Sequence, residues 1–253
     1  KILGGDGFEV IWHYNKPGNF IGVSQNYGQV GRYINYVGAL SNFTDSGDGN
    51  VSPFYAKLSN ADNNPDAVFA VTMNGVWRST DFAGTWKLTH IIRNFKPSFS
   101  SSLNVEVSTA DPNVVWAGGA MTEDGLTSLH VSEDNGQTFT KTNTFDNPKN
   151  NHSLNISGIG TSLTERNRAY ALFSAQGAAK ILKTEDLGVT WTDISGFAGT
   201  SKSGFPDVAV HSILEMPFDK NIIWAGTDIG IFETTNGGLN WSLLNNFIPV
   251  AVY

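Results

Sequence analysis

The sequence predicts an all-β protein, a β-propeller of four-stranded antiparallel blades, and three observations predict it. The first is an eight-residue frame, Ser/Thr-x-Asp/Asn-x-Gly-x-x-aromatic, that occurs four times. The second is its spacing: first positions fall at 79, 132, 184 and 234, which are 53, 52 and 50 residues apart. Periods of about 50 residues belong to propellers and other repeat arrays. The third is composition. With 27 glycines and only 15% charged residues in 253, the chain suits many short strands joined by turns, and no stretch demands a helix of ordinary length.

The octets are Ser79-Thr80-Asp81-Phe82-Ala83-Gly84-Thr85-Trp86, Ser132-Glu133-Asp134-Asn135-Gly136-Gln137-Thr138-Phe139, Thr184-Glu185-Asp186-Leu187-Gly188-Val189-Thr190-Trp191 and Thr234-Thr235-Asn236-Gly237-Gly238-Leu239-Asn240-Trp241. Each reads as a tight turn between two strands. An Asp or Asn side chain in a turn accepts hydrogen bonds from amides a few residues on. The fifth position, Gly136, Gly188 and Gly238 but Ala83 in the first copy, supplies a positive φ. The leading hydroxyls of Ser79, Ser132, Thr184 and Thr234 are further local acceptors. The closing rings of Trp86, Phe139, Trp191 and Trp241 begin the next strand and point inward. A carboxylate repeated as Asp81, Asp134 and Asp186 is therefore read as a structural staple, not as a ligand site.

Taken in order, Phe8–Trp12, Asn19–Ser24 and Gln29–Tyr36 read as the first strands, and Tyr33–Leu40 aligns under the octets as a degenerate fifth copy. In the second blade Val68–Thr72 and Val76–Ser79 flank an Asn74-Gly75 turn. The fifth blade repeats that spacing with Ile222–Thr227, Asp228-Ile229-Gly230 and Ile231–Thr234. Alternating segments such as Leu103–Val107 and Val208–Ile213 come first in their blades, and turns such as Asp111-Pro112-Asn113 follow. The expected blades are 1–50, 51–98, 99–150, 151–203 and 204–247. Residues 248–253 would start another blade or close the ring, and the chain reads as a section of a longer propeller. A sheet edge left open in water is a liability.

Composition excludes several function classes. A net charge of −7 argues against a nucleic-acid partner, because phosphate binding needs clustered Lys and Arg. No run of 18 apolar residues exists, so no membrane-spanning helix is expected. The absence of cysteine excludes disulfides and thiolate metal sites. No cofactor is expected. The turn-rich 43–50 stretch offers Asp45, Asp48 and Asn50 as oxygen ligands for calcium, but its spacing is not that of a calcium loop and ordinary turn chemistry explains it. The five histidines lack zinc-ligand spacing.

The octets resemble the Asp-box of the BNR repeat, Ser-x-Asp-x-Gly-x-Thr-Trp, with Asn236, Phe139 and Ala83 as mild departures. That motif is shared by sialidases, sortilin-type receptors, xyloglucan hydrolases and photosystem assembly factors, so it implies a propeller without choosing a function. The order Gly-Gly-Asp-Gly-Phe, Asn26-Tyr27-Gly28, Gly49–Phe54 and Trp224–Phe232 is similar to sortilin-like propellers of secreted bacterial surface proteins. That resemblance implies a secreted or cell-surface location, type IX secretion, and a role in binding.

The Asp-box resemblance opens two enzymatic readings. In Asp-box xyloglucan hydrolases the base lies in a Thr-Asp-Ile-Gly-Gly run, which Thr227-Asp228-Ile229-Gly230 resembles, so Asp228 is the one catalytic candidate. Inverting hydrolysis needs a second carboxylate about 6–10 Å away, and none is identifiable in the sequence. A sialidase needs three convergent arginines, whereas Arg32 and Arg78 occupy equivalent blade positions and read as repeat features. Trp86, Trp191, Trp241, Trp116 and Trp224 are expected in the core, while Trp12 or Trp77 could stack on a sugar. The sequence thus points to a non-catalytic binding or scaffolding propeller with a protein or glycan partner. A xyloglucan-cleaving glycoside hydrolase and an intracellular assembly factor are the alternatives.

Overall fold

The computed structural model describes residues 4, 6–27, 29–43, 52–91, 103–121, 128–145, 154–197 and 203–244. They form five four-stranded antiparallel sheets, and no α-helix occurs among them. Sheet one runs β1 (Gly7–Trp12), β2 (Phe20–Ser24), β3 (Val30–Ile34) and β4 (Val37–Leu40). Sheet two is β5 (Leu58–Ala61), β6 (Asn64–Thr72), β7 (Gly75–Ser79) and β8 (Lys87–His90). Sheet three is β9 (Asn104–Val107), β10 (Val115–Gly118), β11 (His130–Ser132) and β12 (Thr140–Lys141). Sheet four is β13 (Ile156–Thr161), β14 (Ala169–Phe173), β15 (Ile181–Thr184) and β16 (Thr192–Asp193). Sheet five is β17 (Val210–Met216), β18 (Asp219–Thr227), β19 (Gly230–Thr234) and β20 (Ser242–Leu243). Strands follow chain order within every sheet, as successive hairpins require. Sheets one to three belong to one compact unit, and sheets four and five to another.

Within each unit the sheets stack face to face through alternating apolar side chains. Ile21, Val23 and Val30 of sheet one meet Leu58, Val68, Ala70 and Trp77 of sheet two. The opposite face of sheet two gives Phe69, Val71 and Val76, which meet Val105, Val107, Val115 and Ala117 of sheet three. In the second unit Tyr170, Leu172 and Ile181 meet Ile223, Ala225 and Phe232. Period-two alternation in a strand buried on both sides produces these two apolar faces.

Each octet links the third and fourth strands of sheets two to five and ties that corner together. Ser79 Oγ donates to Asp81 Oδ1 at 2.8 Å and accepts from Ala83 N at 2.8 Å. The same carboxylate accepts from Gly84 N and Thr85 N at 2.9 and 2.8 Å, and from Thr85 Oγ1 at 3.0 Å. Ser132 with Asp134, Thr184 with Asp186, and Thr234 with Asn236 repeat this pattern. The fourth residue's amide reaches the start of the second strand or the turn just before it: Phe82 N to Asp66 O, Asn135 N to Asn113 O, Leu187 N to Asn167 O and Gly237 N to Asn221 O. Two consecutive residues take positive φ, for instance Asn135 (58°) and Gly136 (76°), and Phe82 (54°) with Ala83 (59°). Gly136 also lies where a Cβ would meet Phe69 Cε1 at 2.5 Å.

Sheet one departs from the sequence expectation of a fifth octet over Tyr33–Leu40. Asn35 and Tyr36, at φ 49° and 65°, form a two-residue hairpin between β3 and β4. Gly38 and Leu40 therefore lie within a strand, and no hydroxyl–carboxylate clasp closes this corner. Two consecutive left-handed residues suffice for such a hairpin.

The octet carboxylates make stability acid-sensitive. Burial is the largest single influence on Asp134 and raises its pKa, but the hydrogen bonds from Thr138, Ser132 and Gln137 together outweigh it and hold the carboxyl at about 2. Asp81 and Asp186 are shifted downward by the same kind of turn hydrogen bonds. A carboxyl whose pKa falls on folding stabilises the fold above its unfolded value and stops doing so as it protonates. For Asp134 the contribution is thus present above about pH 4 and is lost as pH falls through about 2. Asp134→Asn should flatten that acid limb while keeping the turn, because Asn236 Oδ1 already accepts from Asn240 N at 2.9 Å in the fourth copy. Urea denaturation between pH 2 and 5 tests this, and identical profiles for the two proteins would rule it out.

Candidate functional site

The first strands of neighbouring sheets lie against one another, β1 on β5 and β5 on β9, and they carry side chains that do not repeat from blade to blade. Glu9 of β1 pairs with Lys57, just before β5, at 3.4 Å. Ser59 Oγ accepts from Val107 N at 3.0 Å and reaches Glu106 Oε2 at 3.4 Å. Burial pushes the Glu106 carboxyl up to about 7; the Ser59 hydrogen bond and the Lys57 charge oppose this, and the Glu9 charge adds to it. Glu106 can therefore hold or release a proton near neutral pH. Burial, then the charges of Asp62 and Glu106, also raise the Tyr14 hydroxyl.

An aromatic cluster adjoins the Glu9–Lys57 pair along the chain. Phe8 meets Phe54 edge-on at 5.3 Å and Tyr55 at 5.1 Å, and Phe54 meets Tyr55 at 5.4 Å. Phe8 and Phe54 are partly buried, whereas Tyr55 is half exposed. Edge-to-face packing fixes the exposed ring at little further entropic cost. Rigid aromatic surface beside a few charged groups is the chemistry of a small-ligand site.

Asp228, the catalytic candidate, stands at the tip of the β18–β19 hairpin. Its Oδ1 lies 2.7 Å from His211 Nε2, and both side chains are exposed. His211 is thus a surface partner of Asp228. Thr227 Oγ1 accepts from Ile229 N and donates to Gly230 O, while Gly230 holds φ 134°. The turn at Asn74-Gly75 is alike, with Gly75 at φ 140° and Thr89 O 2.1 Å from where a Cβ would stand.

Other charged groups serve packing. Glu215 is buried and accepts from Ser162 Oγ at 2.6 Å, Arg168 Nη1 at 3.0 Å and the Tyr170 hydroxyl. Arg168 also meets Glu185 at 2.9 Å. Arg32 donates to the carbonyls of Phe82 and Asp81, and Arg78 to Asn135 Oδ1, each gripping the octet of the next sheet. These arginines do not converge on a common point, consistent with their equivalent places in the repeat. Buried His13 spans sheets one and two, with Asn15 N donating to its Nδ1 and its Nε2 facing Asp66 Oδ1 at 3.0 Å.

Trp116 and Trp241 are buried, while Trp86, Trp191, Trp224 and Phe139 are partly buried. Trp77 is a core residue, stacked on Phe43 at 4.8 Å with Nε1 donating to Thr72 Oγ1, so it is no sugar platform. Each octet carboxylate is engaged by its own turn. Asp45, Asp48 and Asn50 lie outside the described residues, as does 248–253. Among the described residues no group of three or more His, Asp or Glu is positioned for a metal ion. Sequence reasoning missed Glu9, Lys57, Ser59, Glu106 and the Phe8–Phe54–Tyr55 cluster. In Leu103–Val107 the glutamate occupies the polar phase of an alternating strand and looks like an ordinary solvent position.

Four-stranded sheets stacked face to face within each unit and tied at recurrent corners define an all-β chain of propeller type. Comparison with known proteins agrees on the fold. No family model matches the chain. A probable oligoxyloglucan-reducing end-specific xyloglucanase from Neosartorya fischeri is 25% identical over 146 residues, covering 54% of this chain and 17% of the relative. The GH74 xyloglucanase from Xanthomonas campestris superposes with a TM-score of 0.57 at 15% identity, over 95% of this chain and 45% of that one. An ancestral GH74 enzyme gives a TM-score of 0.63 at 16% identity, over 94% of this chain and 31% of that one. The chain therefore spans less than half the length of these similar proteins.

Proposed function

We propose that this chain is the carbohydrate-recognising part of a secreted or cell-surface propeller, and that it binds β-glucan chains without cleaving them. One observation carries the reading: the half-exposed Tyr55 ring, braced by Phe8 and Phe54, whose segments also carry Glu9 and Lys57. Sugars present flat C–H faces and a rim of hydroxyls, which a rigid ring and adjoining charged groups complement. The xyloglucanase relative supports the ligand class.

A second reading, hydrolysis of the xyloglucan-cleaving kind, is favoured by Asp228 in its Thr-Asp-Ile-Gly run. Hydrolysis uses two carboxylates flanking one bond, of which Asp228, hydrogen-bonded to His211, would be one. Binding is the primary reading because the aromatic cluster supports it without a second carboxylate.

Affinity electrophoresis through gels holding xyloglucan or mixed-linkage β-glucan tests both. Retention is expected, and Tyr55→Ala should weaken it about tenfold, the loss of roughly 1–1.5 kcal/mol of aromatic contact. Reducing-sugar release should be absent. Release abolished by Asp228→Asn would establish the hydrolytic reading, and no retention on any β-glucan would overturn the glycan reading.

A further inference from the structure

The residues of the aromatic cluster stand at the margins of the strand ladders. Phe54 and Tyr55 precede β5, and Phe8 lies where the register between β1 and β2 shifts, between Gly7 and Val10. Backbone in such stretches finds hydrogen-bond partners elsewhere or opens readily. One short turn supplies partners to both segments.

That turn is Gln25–Tyr27, a single turn of 3-10 helix between β2 and β3. Gly7 pairs with Ser24, which sets the turn beside the entry to β1. Gln25 N donates to Asp6 O at 3.0 Å, and Gln25 Oε1 accepts from Asp6 N at 2.5 Å. Both backbone groups of Asp6 are thus held, two residues before Phe8. The Tyr27 hydroxyl does the same for Lys57, two residues after Tyr55: it donates to Lys57 O and accepts from Lys57 N at 2.8 Å. Val71 N of β6 reaches the same oxygen at 3.3 Å.

The Tyr27 ring belongs to the core between sheets one and two and meets Phe43 edge-on at 5.3 Å. A phenylalanine would fill that space as well, so core packing does not account for the hydroxyl. Burial pushes its pKa far up, which keeps it a neutral donor at neutral pH. Tyr27 also holds φ 47°, a left-handed conformation that disfavours a residue with a Cβ and persists where surrounding contacts over-determine it.

We infer that Tyr27 is a positioning residue for carbohydrate binding: its hydroxyl, together with the Gln25 side chain, fixes the two segments that present the Tyr55 ring before a ligand arrives. This rests on the reading of Tyr55 as the glycan platform. A platform already held in its bound geometry loses less conformational freedom on binding, so affinity is gained without any contact between Tyr27 and the sugar.

Tyr27→Phe should weaken retention on β-glucan gels about fivefold in the folded chain, the scale of ordering one side chain and its loop. In a Tyr55→Ala background the same change should alter retention less than about twofold, because it acts through that ring. Independent, additive losses would overturn the proposal. Val68→Ala truncates a core side chain of the same cluster. It should cost more stability than Tyr27→Phe yet leave retention unchanged, and an equal loss of retention would reduce the hydroxyl to a structural role and overturn the proposal. Fluorine NMR judges positioning without ligand. The seven tyrosines are labelled as 3-fluorotyrosine, and Tyr55 is assigned from Tyr55→Phe. Its resonance should broaden or split in Tyr27→Phe, and an unmoved resonance would overturn the proposal. If the unsubstituted chain were retained on no β-glucan, the carbohydrate reading alone would fail. A broadened Tyr55 resonance would then keep Tyr27 as the positioning residue of a site for another ligand, and an unmoved one would overturn that too. Should Tyr27→Phe not fold, Gln25→Ala, which leaves the core cluster untouched, is judged by the same criteria.

Discussion

Glu215→Ala is expected to destabilise the unit formed by sheets four and five by about 3–5 kcal/mol, the usual cost of leaving a buried charge without its partner. The carboxylate sits on β17 and accepts from Ser162, Arg168 and Tyr170. Arg168 lies just before β14 and is itself buried. Removing the acceptor leaves a guanidinium and two hydroxyls short of one partner each, with only Glu185 remaining for the arginine. Glu215→Gln should cost less, since an amide oxygen still accepts while the charge pairing is gone. Denaturant unfolding followed by near-ultraviolet circular dichroism measures both. A loss below about 1 kcal/mol for the alanine variant would show that the network is no more than an ordinary hydrogen bond.

The second large effect separates core from site. Trp77→Ala should cost about 3–5 kcal/mol, the range for truncating a buried aromatic side chain. Trp77 is buried between Ala70, Leu58 and Leu88, stacked on Phe43, and bonded to Thr72. Its removal opens a cavity between sheets one and two, where rigid strands collapse poorly. Any change in glycan retention should then follow unfolding and vanish under conditions that keep the variant folded. Tyr55→Ala should do the reverse, weakening retention while costing under about 1 kcal/mol, as for half-exposed positions outside the core. If Trp77→Ala were stable but failed to bind, Trp77 would belong to the site and the aromatic cluster would lose its role.

These two residues show how far sequence reading reaches. Trp77 and Trp12 were equivalent on paper, each a tryptophan in an apolar strand. Trp77 lies between two sheets, whereas Trp12 projects from the other face of sheet one. Strand periodicity assigns a residue to one side or the other, but not which side meets another sheet. Asp228 was found from a four-residue run, and its pairing with His211, 17 residues away in sequence, required β17 and β18 to be registered. Glu9 and Glu106 lie in sheets one and three and Lys57 just before sheet two, and they share no local pattern.

The repeat by itself determined the all-β class, the four-strand rhythm and the turn chemistry, because the clasp between an octet's hydroxyl, its Asp or Asn side chain and its own amides closes within eight residues. In sheet one the same position is a tighter hairpin, since two left-handed residues turn the chain as well as a clasp does. Tertiary structure alone decided which carboxylates are solvated and which buried, and which rings meet. Those properties arise from contacts between segments about fifty residues apart, the spacing at which this repeat brings one sheet onto the next.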